Sequence, residues 1–245
     1  MRSLLFVPGD DERKIAKALD CAADALILDL EDAVAPQRKA AARDLCASVL
    51  RTARTSKTLF VRMNALDTSD AMADLSVIVS AKPFGIVLPK CRHAQDVRRL
   101  AGELDTLEAE THIEQGATRI LSIATETAGS LFGLGTYAEL TNPRLFGMMW
   151  GGEDLAADIG AIANRDASGC YTAAFELARA LCLLGAAAAS VLPPTTGAPR
   201  SWRRCCRSTL CTPIFVTQKA CGSRRSKVCA VVSARKPRYI QHRLR

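Results

Sequence analysis

Short apolar runs alternate with longer amphipathic runs along the first 190 residues of this chain. Six apolar runs of four to six residues contain few polar positions, which is typical of strands in a parallel sheet buried on both faces. Longer runs that repeat hydrophobic residues every three or four positions predict helices. The predicted strands cover residues 3–7, 25–30, 58–62, 85–88, 119–124 and 145–150, and the predicted helices cover residues 11–22, 36–54, 94–108 and 173–189.

Regular alternation of strands and helices predicts an α/β fold. Six βα units in this length fit a TIM (β/α)8-type barrel that is incomplete at its C-terminal end better than a doubly wound sheet. The first strand is followed by Pro8-Gly9 and not by the Gly-x-Gly-x-x-Gly loop of a dinucleotide-binding unit. We therefore assign residues 1–190 to a (β/α) barrel catalytic domain and residues 191–245 to a separate tail.

The charge pattern sets this tail apart from the rest of the chain. The formal net charge of the whole chain is +8, but the charges are unevenly distributed. Residues 191–245 contain 13 Lys and Arg and no acid, whereas all 25 Asp and Glu lie in residues 1–190. Three interpretations are open: a basic arm for nucleic acid or anionic lipid, a disordered extension, or an out-of-frame translation after a truncated enzyme. Few aromatic residues are interleaved for base stacking, which disfavours nucleic acid. We expect a disordered or out-of-frame tail.

The tail contains two short strand-like runs, at residues 213–217 and 228–232. No helical segment separates them, although neighbouring parallel strands need a long crossover. We therefore expect that the tail does not supply strands seven and eight. The barrel would then have two open edges, and the chain would be unstable or inactive.

Targeting signals are not evident in the sequence. No run of about 18 apolar residues is present, so no membrane span is expected. The apolar start of the chain is too short for a signal peptide and runs at once into charged residues. A cytoplasmic protein is the default expectation.

Every predicted strand ends in a polar or turn signature, and in a barrel these ends meet at the rim that carries the active site. Glu126 and Asp154 follow the fifth and sixth strands and offer two hard oxygen ligands for Mg²⁺, which takes one or two carboxylates and fills its other positions with water and substrate. Each acid could instead be a helix cap or a first-turn charge. The six signatures are Pro8-Gly9, Glu31-Asp32, Arg62-Met-Asn64, Pro89-Lys90, Glu126 and Glu153-Asp154.

Two cations accompany these acids. Arg62 ends an apolar strand, and its planar fork suits a carboxylate, although an ion pair with Glu31 or Asp32 is the alternative. Lys90 follows Pro89 and could also be a simple helix-start charge. Together the cations and acids indicate a site for an anionic substrate and a metal ion.

These residues lie in motifs that resemble the citrate lyase β-subunit-like enzymes of the HpcH/HpaI aldolase superfamily, which are CoA-ester lyases. The resemblance covers residues 1 to about 190 and identifies the family but not the substrate. The matching motifs are Arg2-Ser-Leu-Leu-Phe-Val-Pro-Gly9, Leu28-Asp-Leu-Glu-Asp-Ala-Val34, Phe60-Val-Arg-Met-Asn64, Leu88-Pro-Lys90, Thr125-Glu-Thr127 and Gly151-Gly-Glu-Asp-Leu-Ala-Ala-Asp-Ile-Gly160.

The resemblance implies roles for individual residues. It implies that Glu126 and Asp154 hold Mg²⁺ and that Arg62 binds a substrate carboxylate and acts in catalysis. Glu31 or Asp32 would be the base that takes a hydroxyl proton. The other implied substrate contacts are Pro8 and Gly9 near the CoA, together with Lys90, Gly151 and Gly152.

The implied reaction is cleavage of a 3-hydroxyacyl-CoA, such as citryl-, malyl- or citramalyl-CoA, to a thioester and an oxo acid. Hydrolysis of the thioester at the same site is an alternative, and so is an inactive truncated relative with a basic binding tail. Family members are commonly homo-oligomers in which a C-terminal segment supplies an acid to a neighbouring site. The tail of this chain has no acid to donate.

Overall fold

A computed structural model describes residues 1, 3–191, 214–220 and 227–233 of the chain. Six parallel strands are paired in chain order, so the six strands expected from the sequence are confirmed. The strands are β1 (Ser3–Pro8), β2 (Ala25–Asp29), β3 (Thr58–Arg62), β4 (Gly85–Leu88), β5 (Arg119–Ile123) and β6 (Leu145–Met149).

Helices follow the strands in the alternation that a (β/α) barrel requires. Three of them were not predicted from the sequence: α3 (Asp70–Ser80), α5 (Ala128–Gly133) and α6 (Gly152–Asp158). The longest of the three, α3, buries Leu75, Ile78 and Val79. None of the helices in the described part of the chain is long and apolar enough to cross a membrane. The helices are α1 (Glu12–Leu19), α2 (Lys39–Thr52), α3 (Asp70–Ser80), α4 (Ala94–Glu110), α5 (Ala128–Gly133), α6 (Gly152–Asp158) and α7 (Ala173–Val191).

Two layers of apolar side chains explain why the strands are apolar at nearly every position. One face of each strand packs against the surrounding helices, as Leu26 and Leu28 of β2 do. The other face fills the barrel interior, so both faces are removed from water. The interior cluster contains Leu4, Ala25, Ile27, Phe60, Val87, Leu121, Ile123 and Met149.

A buried ion pair fixes the N-terminal ends of β5 and β6. Arg144, just before β6, contacts Glu108 of α4 through Nη1–Oε1 and Nη2–Oε2 distances of 3.0 and 2.6 Å. Glu108 also accepts hydrogen bonds of 2.8 Å from the backbone N–H groups of Gly116 and Thr118. This network ties α4 to the strands whose opposite ends lead to Glu126 and Asp154.

The barrel is closed by two strands from the tail. Strand β7 (Ile214–Ala220) pairs in parallel with β6, and β8 (Lys227–Ser233) pairs antiparallel with both β7 and β1. The expectation that the tail would leave two open sheet edges is therefore wrong. Only residues 221–226 separate the two strands, and a short connection of this kind joins antiparallel but not parallel neighbours. The described residues thus form six of the eight βα units of a (β/α)8 barrel, which confirms the expected barrel that is incomplete at its C-terminal end. The closing strand β8 is antiparallel to both of its neighbours. The expected disorder of the rest of the tail concerns residues outside the described ones.

Candidate active site

A cavity of about 290 Å³ opens at the rim where the parallel strands end. Phe6, Met149 and Trp150 give it apolar walls, while Asp29 contributes a carboxyl that the sequence analysis had not assigned to the site. Six of the ten assigned residues line this cavity: Pro8, Asp32, Arg62, Glu126, Gly151 and Asp154. The structure therefore brings together residues that are up to 146 positions apart in the chain.

The candidate metal ligands Glu126 and Asp154 lie side by side. Glu126 is buried in the loop after β5, and Asp154 lies in the first turn of α6, half-buried. Both carboxyls line the same cavity, and Asp154 lies close enough to act on the carboxyl of Glu126. Burial raises the pKa of Glu126 well above its usual range, and the neighbouring Asp154 raises it further.

Local backbone geometry allows this close approach. Thr127, and not Glu126, caps α5 by accepting a hydrogen bond from the Ser130 N–H, so the Glu126 carboxyl remains free for other contacts. A side chain at Gly151 would place its Cβ only 2.4 Å from Glu126 Cγ. Glycine is therefore required at position 151 if Glu126 is to reach the cavity.

The acid pair fits a hard divalent cation. Two adjacent carboxylates repel each other when both are ionised, and a cation between them removes that repulsion. No group of three or more His, Cys, Asp or Glu in the described residues is arranged to hold a metal ion. Mg²⁺ does not require one, because it is commonly held by one or two carboxylates with water and substrate in its other positions.

Arg62 is the central cation of the site, but its fork is already occupied. Its Nε and Nη2 contact Asp29 Oδ1 and Oδ2 at 2.7 and 2.6 Å. Its Nη1 lies 2.9 Å from Glu31 and 3.3 Å from Asp32. The two-point fork expected to bind a substrate carboxylate therefore binds Asp29, and the alternative ion pairs with Glu31 and Asp32 are both formed.

Asp29 organises this corner of the site. It is buried, and besides Arg62 it accepts hydrogen bonds from the backbone N–H groups of Glu31 and Ala33 at 3.0 and 3.2 Å. Burial alone would lower the pKa of Arg62, but the hydrogen bonds and charge of Asp29 raise it. A charged residue inside the otherwise apolar run 25–30 was the sequence signal for Asp29.

Lys90 and Glu31 form the second ion pair of the site. Lys90 Nζ lies 3.0 Å from Glu31 Oε1, and the charge of Glu31 raises the pKa of Lys90 although burial acts against it. Burial raises the pKa of Glu31, because it outweighs the attraction of Arg62 and Lys90. Glu31 Oε2 is buried without a hydrogen bond, since its short contact with Arg62 lacks hydrogen-bond geometry.

Gly9 and Gly152 have packing roles and do not line the cavity. A Cβ at Gly9 would lie 2.7 Å from both the Asp29 carbonyl oxygen and Cys46 Sγ, so glycine lets the loop after β1 pass close to β2. A Cβ at Gly152 would lie 2.6 Å from the Trp150 ring. Both glycines support residues that line the cavity.

Replacing Arg62 with Met should destabilise the protein by about 3–5 kcal/mol, because it removes the guanidinium that pairs with buried Asp29. In a chain of this size, that loss corresponds to a fall of about 10 °C in the unfolding temperature, measured by calorimetry. Adding Asp29→Asn to Arg62→Met should recover part of the stability, because the unpaired charge is then absent.

The matched control is Arg38→Met, which breaks an exposed ion pair with Asp10 and should cost less than about 1 kcal/mol. An Arg62→Met protein as stable as the Arg38→Met protein would contradict a structural role for the Arg62–Asp29 pair.

The barrel therefore carries, at the rim where its six parallel strands end, an acid pair beside two cations. A sequence model described as HpcH/HpaI aldolase/citrate lyase matches residues 2–202. The chain belongs to this family, in which CoA-ester lyases are found.

Named relatives and a solved structure agree with this assignment. The (3S)-malyl-CoA thioesterase of Cereibacter sphaeroides is 36% identical over 190 residues, covering 76% of this chain and 59% of that protein. The mitochondrial citramalyl-CoA lyase of Mus musculus is 32% identical over 175 residues, covering 67% of this chain and 51% of that protein. The chain therefore spans between half and three fifths of the length of these relatives.

The crystal structure of protein CitE from Mycobacterium tuberculosis, in complex with magnesium, acetoacetate and coenzyme A, has a TM-score of 0.61 to this chain. The two are 34% identical, and the match covers 76% of this chain and 61% of that one.

Proposed function

We propose that this protein is a Mg²⁺-dependent carbon–carbon lyase that cleaves a 3-hydroxyacyl-CoA to a thioester and an oxo acid. The observation that carries the proposal is the paired Glu126 and Asp154 carboxyls in a rim cavity that Arg62 also lines, with the Lys90 ammonium 3.8 Å from Asp154. The family supports this class of substrate, and CitE, which crystallised with magnesium and coenzyme A, supports the cofactor.

The charges of the site favour a divalent cation. We call the following seven residues the rim cluster: Asp29, Glu31, Asp32, Arg62, Lys90, Glu126 and Asp154. Five acids face two cations in this set, so a divalent cation offsets most of the remaining negative charge. Glu126 and Asp154 would hold Mg²⁺, which would supply Lewis-acid polarisation of the substrate hydroxyl and carboxylate oxygens.

The side chains of the rim cluster can move the proton that the cleavage requires. Asp32 lines the cavity and is half exposed, whereas Glu31 is buried and has shorter contacts with Arg62 and Lys90, so Asp32 is better placed to accept the hydroxyl proton. As the O–H bond breaks, a carbonyl forms at that carbon, the adjacent C–C bond breaks, and its electron pair moves into the thioester as an enolate. Protonation of the enolate gives the thioester product. Arg62 would stabilise the developing negative charge.

Thioester hydrolysis is the second candidate because the similar Cereibacter sphaeroides protein is named a thioesterase. A family member without the usual donated carboxylate could also be inactive, since residues 191–245 contain no acid.

Product analysis separates these candidates. The full chain is incubated with malyl-CoA and citramalyl-CoA, with and without Mg²⁺, and the products are separated by liquid chromatography. A lyase gives acetyl-CoA and an oxo acid, whereas a thioesterase gives free CoA and no oxo acid. We expect Mg²⁺-dependent acetyl-CoA; free CoA alone would favour hydrolysis, and no product with either substrate would contradict both activities.

A further inference from the structure

Lys90 touches both candidate metal ligands. Its backbone N–H donates to Glu126 Oε2, and its ammonium Nζ lies 3.8 Å from Asp154 Oδ2. The same ammonium lies 3.0 Å from Glu31 Oε1 and 3.7 Å from Asp32 Oδ1. One residue therefore orients the first ligand through its main chain and neutralises the second through its side chain.

The backbone of Lys90 is in an uncommon conformation. Its φ of +50° lies in the left-handed region, which few residues other than glycine adopt and which carries strain that the surroundings must offset. Here the N–H is fixed by Glu126 and the ammonium by three carboxyls. The conformation thus keeps the positive charge of Lys90 beside the position where a metal would bind.

We propose that Lys90 is a built-in counter-ion that competes with Mg²⁺ for Asp154 and thereby lowers the metal affinity of the substrate-free protein. This inference rests on the proposed Mg²⁺ site. When the metal binds, the ammonium leaves Asp154, retains its shorter contact with Glu31, and becomes available to an anionic substrate. The ammonium is 40% exposed, so it has room to move.

The size of the effect follows from the charge and the distance. A unit charge about 4 Å from a partly exposed site changes the affinity of that site for a cation on the order of tenfold. The Lys90→Met protein should therefore bind Mg²⁺ about tenfold more tightly than the wild-type chain. Methionine keeps the backbone N–H and an unbranched side chain one atom shorter than that of lysine, and it removes the charge.

Lys82 offers a matched control. It is an exposed lysine that also has a left-handed backbone, with φ +57°, and it precedes β4 at the opposite end of the barrel. Lys82→Met makes the same substitution in the same backbone conformation but far from the rim cluster. Its Mg²⁺ affinity should stay within about twofold of wild type, because distant exposed charges are screened.

Isothermal titration of the full chain with MgCl₂ alone, without substrate, tests the inference, and circular dichroism verifies that each variant is folded. Lys90→Arg retains the charge and should bind Mg²⁺ like the wild type. Lys90→Gly removes the charge and also relieves the backbone strain. If it raises the Mg²⁺ affinity as much as Lys90→Met does, the loss of charge, and not the relief of strain, causes the increase.

The inference would be overturned if neither Lys90→Met nor Lys90→Gly bound Mg²⁺ more tightly than the wild type. It would also be overturned if Lys90→Arg bound Mg²⁺ as tightly as Lys90→Met. In those cases, Mg²⁺ binding by the wild-type chain would leave the proposed function intact. No binding by the wild type would instead overturn the metal site and this inference together.

Discussion

The Glu126→Gln and Asp154→Asn proteins should each lose Mg²⁺ binding, and their turnover should fall by about 10³-fold or more. In the proposed site the protein supplies two carboxylate ligands to Mg²⁺, so each substitution removes one of the two. Lewis-acid stabilisation by a metal is worth several kcal/mol in the transition state, and each 1.4 kcal/mol corresponds to about tenfold in rate. Titration with MgCl₂ and steady-state turnover measure the two effects independently.

Glu153→Gln is the control for these two variants. Glu153 precedes Asp154 in the first turn of α6, is exposed and lines the same cavity, so the same charge is removed one position away without touching either proposed ligand. Its Mg²⁺ affinity should change by no more than about threefold, because exposed charges are screened by solvent and salt. If Glu126→Gln lost turnover but retained wild-type Mg²⁺ affinity, Glu126 would act in some way other than metal binding.

The six parallel strands could be predicted because the physical requirement is simple. A strand buried on both faces is apolar at almost every position, and such runs stand out from amphipathic helices. Helix α3 was missed because the apolar residues of Asp70–Ser80, at positions 71–73, 75 and 77–79, leave the segment without a clear polar face. Its helical character depends on packing against the sheet, which a local pattern does not reveal.

The site was predictable to the level of strand ends but not of individual pairings. Glu126, Asp154 and Arg62 could be placed at one rim because the C-terminal ends of parallel strands meet there. The ion-pair partner of Arg62 could not be predicted, because it depends on the register between neighbouring strands. Asp29 and Arg62 are directly opposite each other on β2 and β3, so the fork meets Asp29 before the acids that follow β2.

The closure of the barrel was missed for a similar reason. The rule that parallel neighbours need a long crossover is correct, but it does not apply to an antiparallel hairpin. The last two positions of the sheet are filled by β7 and β8, and β8 is antiparallel to both of its neighbours. Sequence patterns indicated the two apolar runs but not the direction in which they would pair.

A chain that ends after Val191 should fail to form a stable monomer. Removing β7 and β8 leaves β6 and β1 with unpaired backbone N–H and C=O groups, and exposed edges of this kind promote aggregation. It also opens the interior layer that contains Leu4 and Met149 to water. For this shortened chain we expect aggregates in size-exclusion chromatography and no cooperative thermal transition. For the full chain we expect a peak of one defined size and a cooperative transition.

Two further variants separate barrel closure from the loss of other residues. A chain that ends after Ser233 keeps both closing strands and should retain a cooperative thermal transition. Val216→Pro keeps every other residue but removes a backbone N–H from β7, which pairs with Met149 of β6 and Val231 of β8. It should destabilise the protein by about 3 kcal/mol or more. If the chain ending at Val191 were monomeric and unfolded at the same temperature as the full chain, β7 and β8 would not contribute to the stability of the barrel.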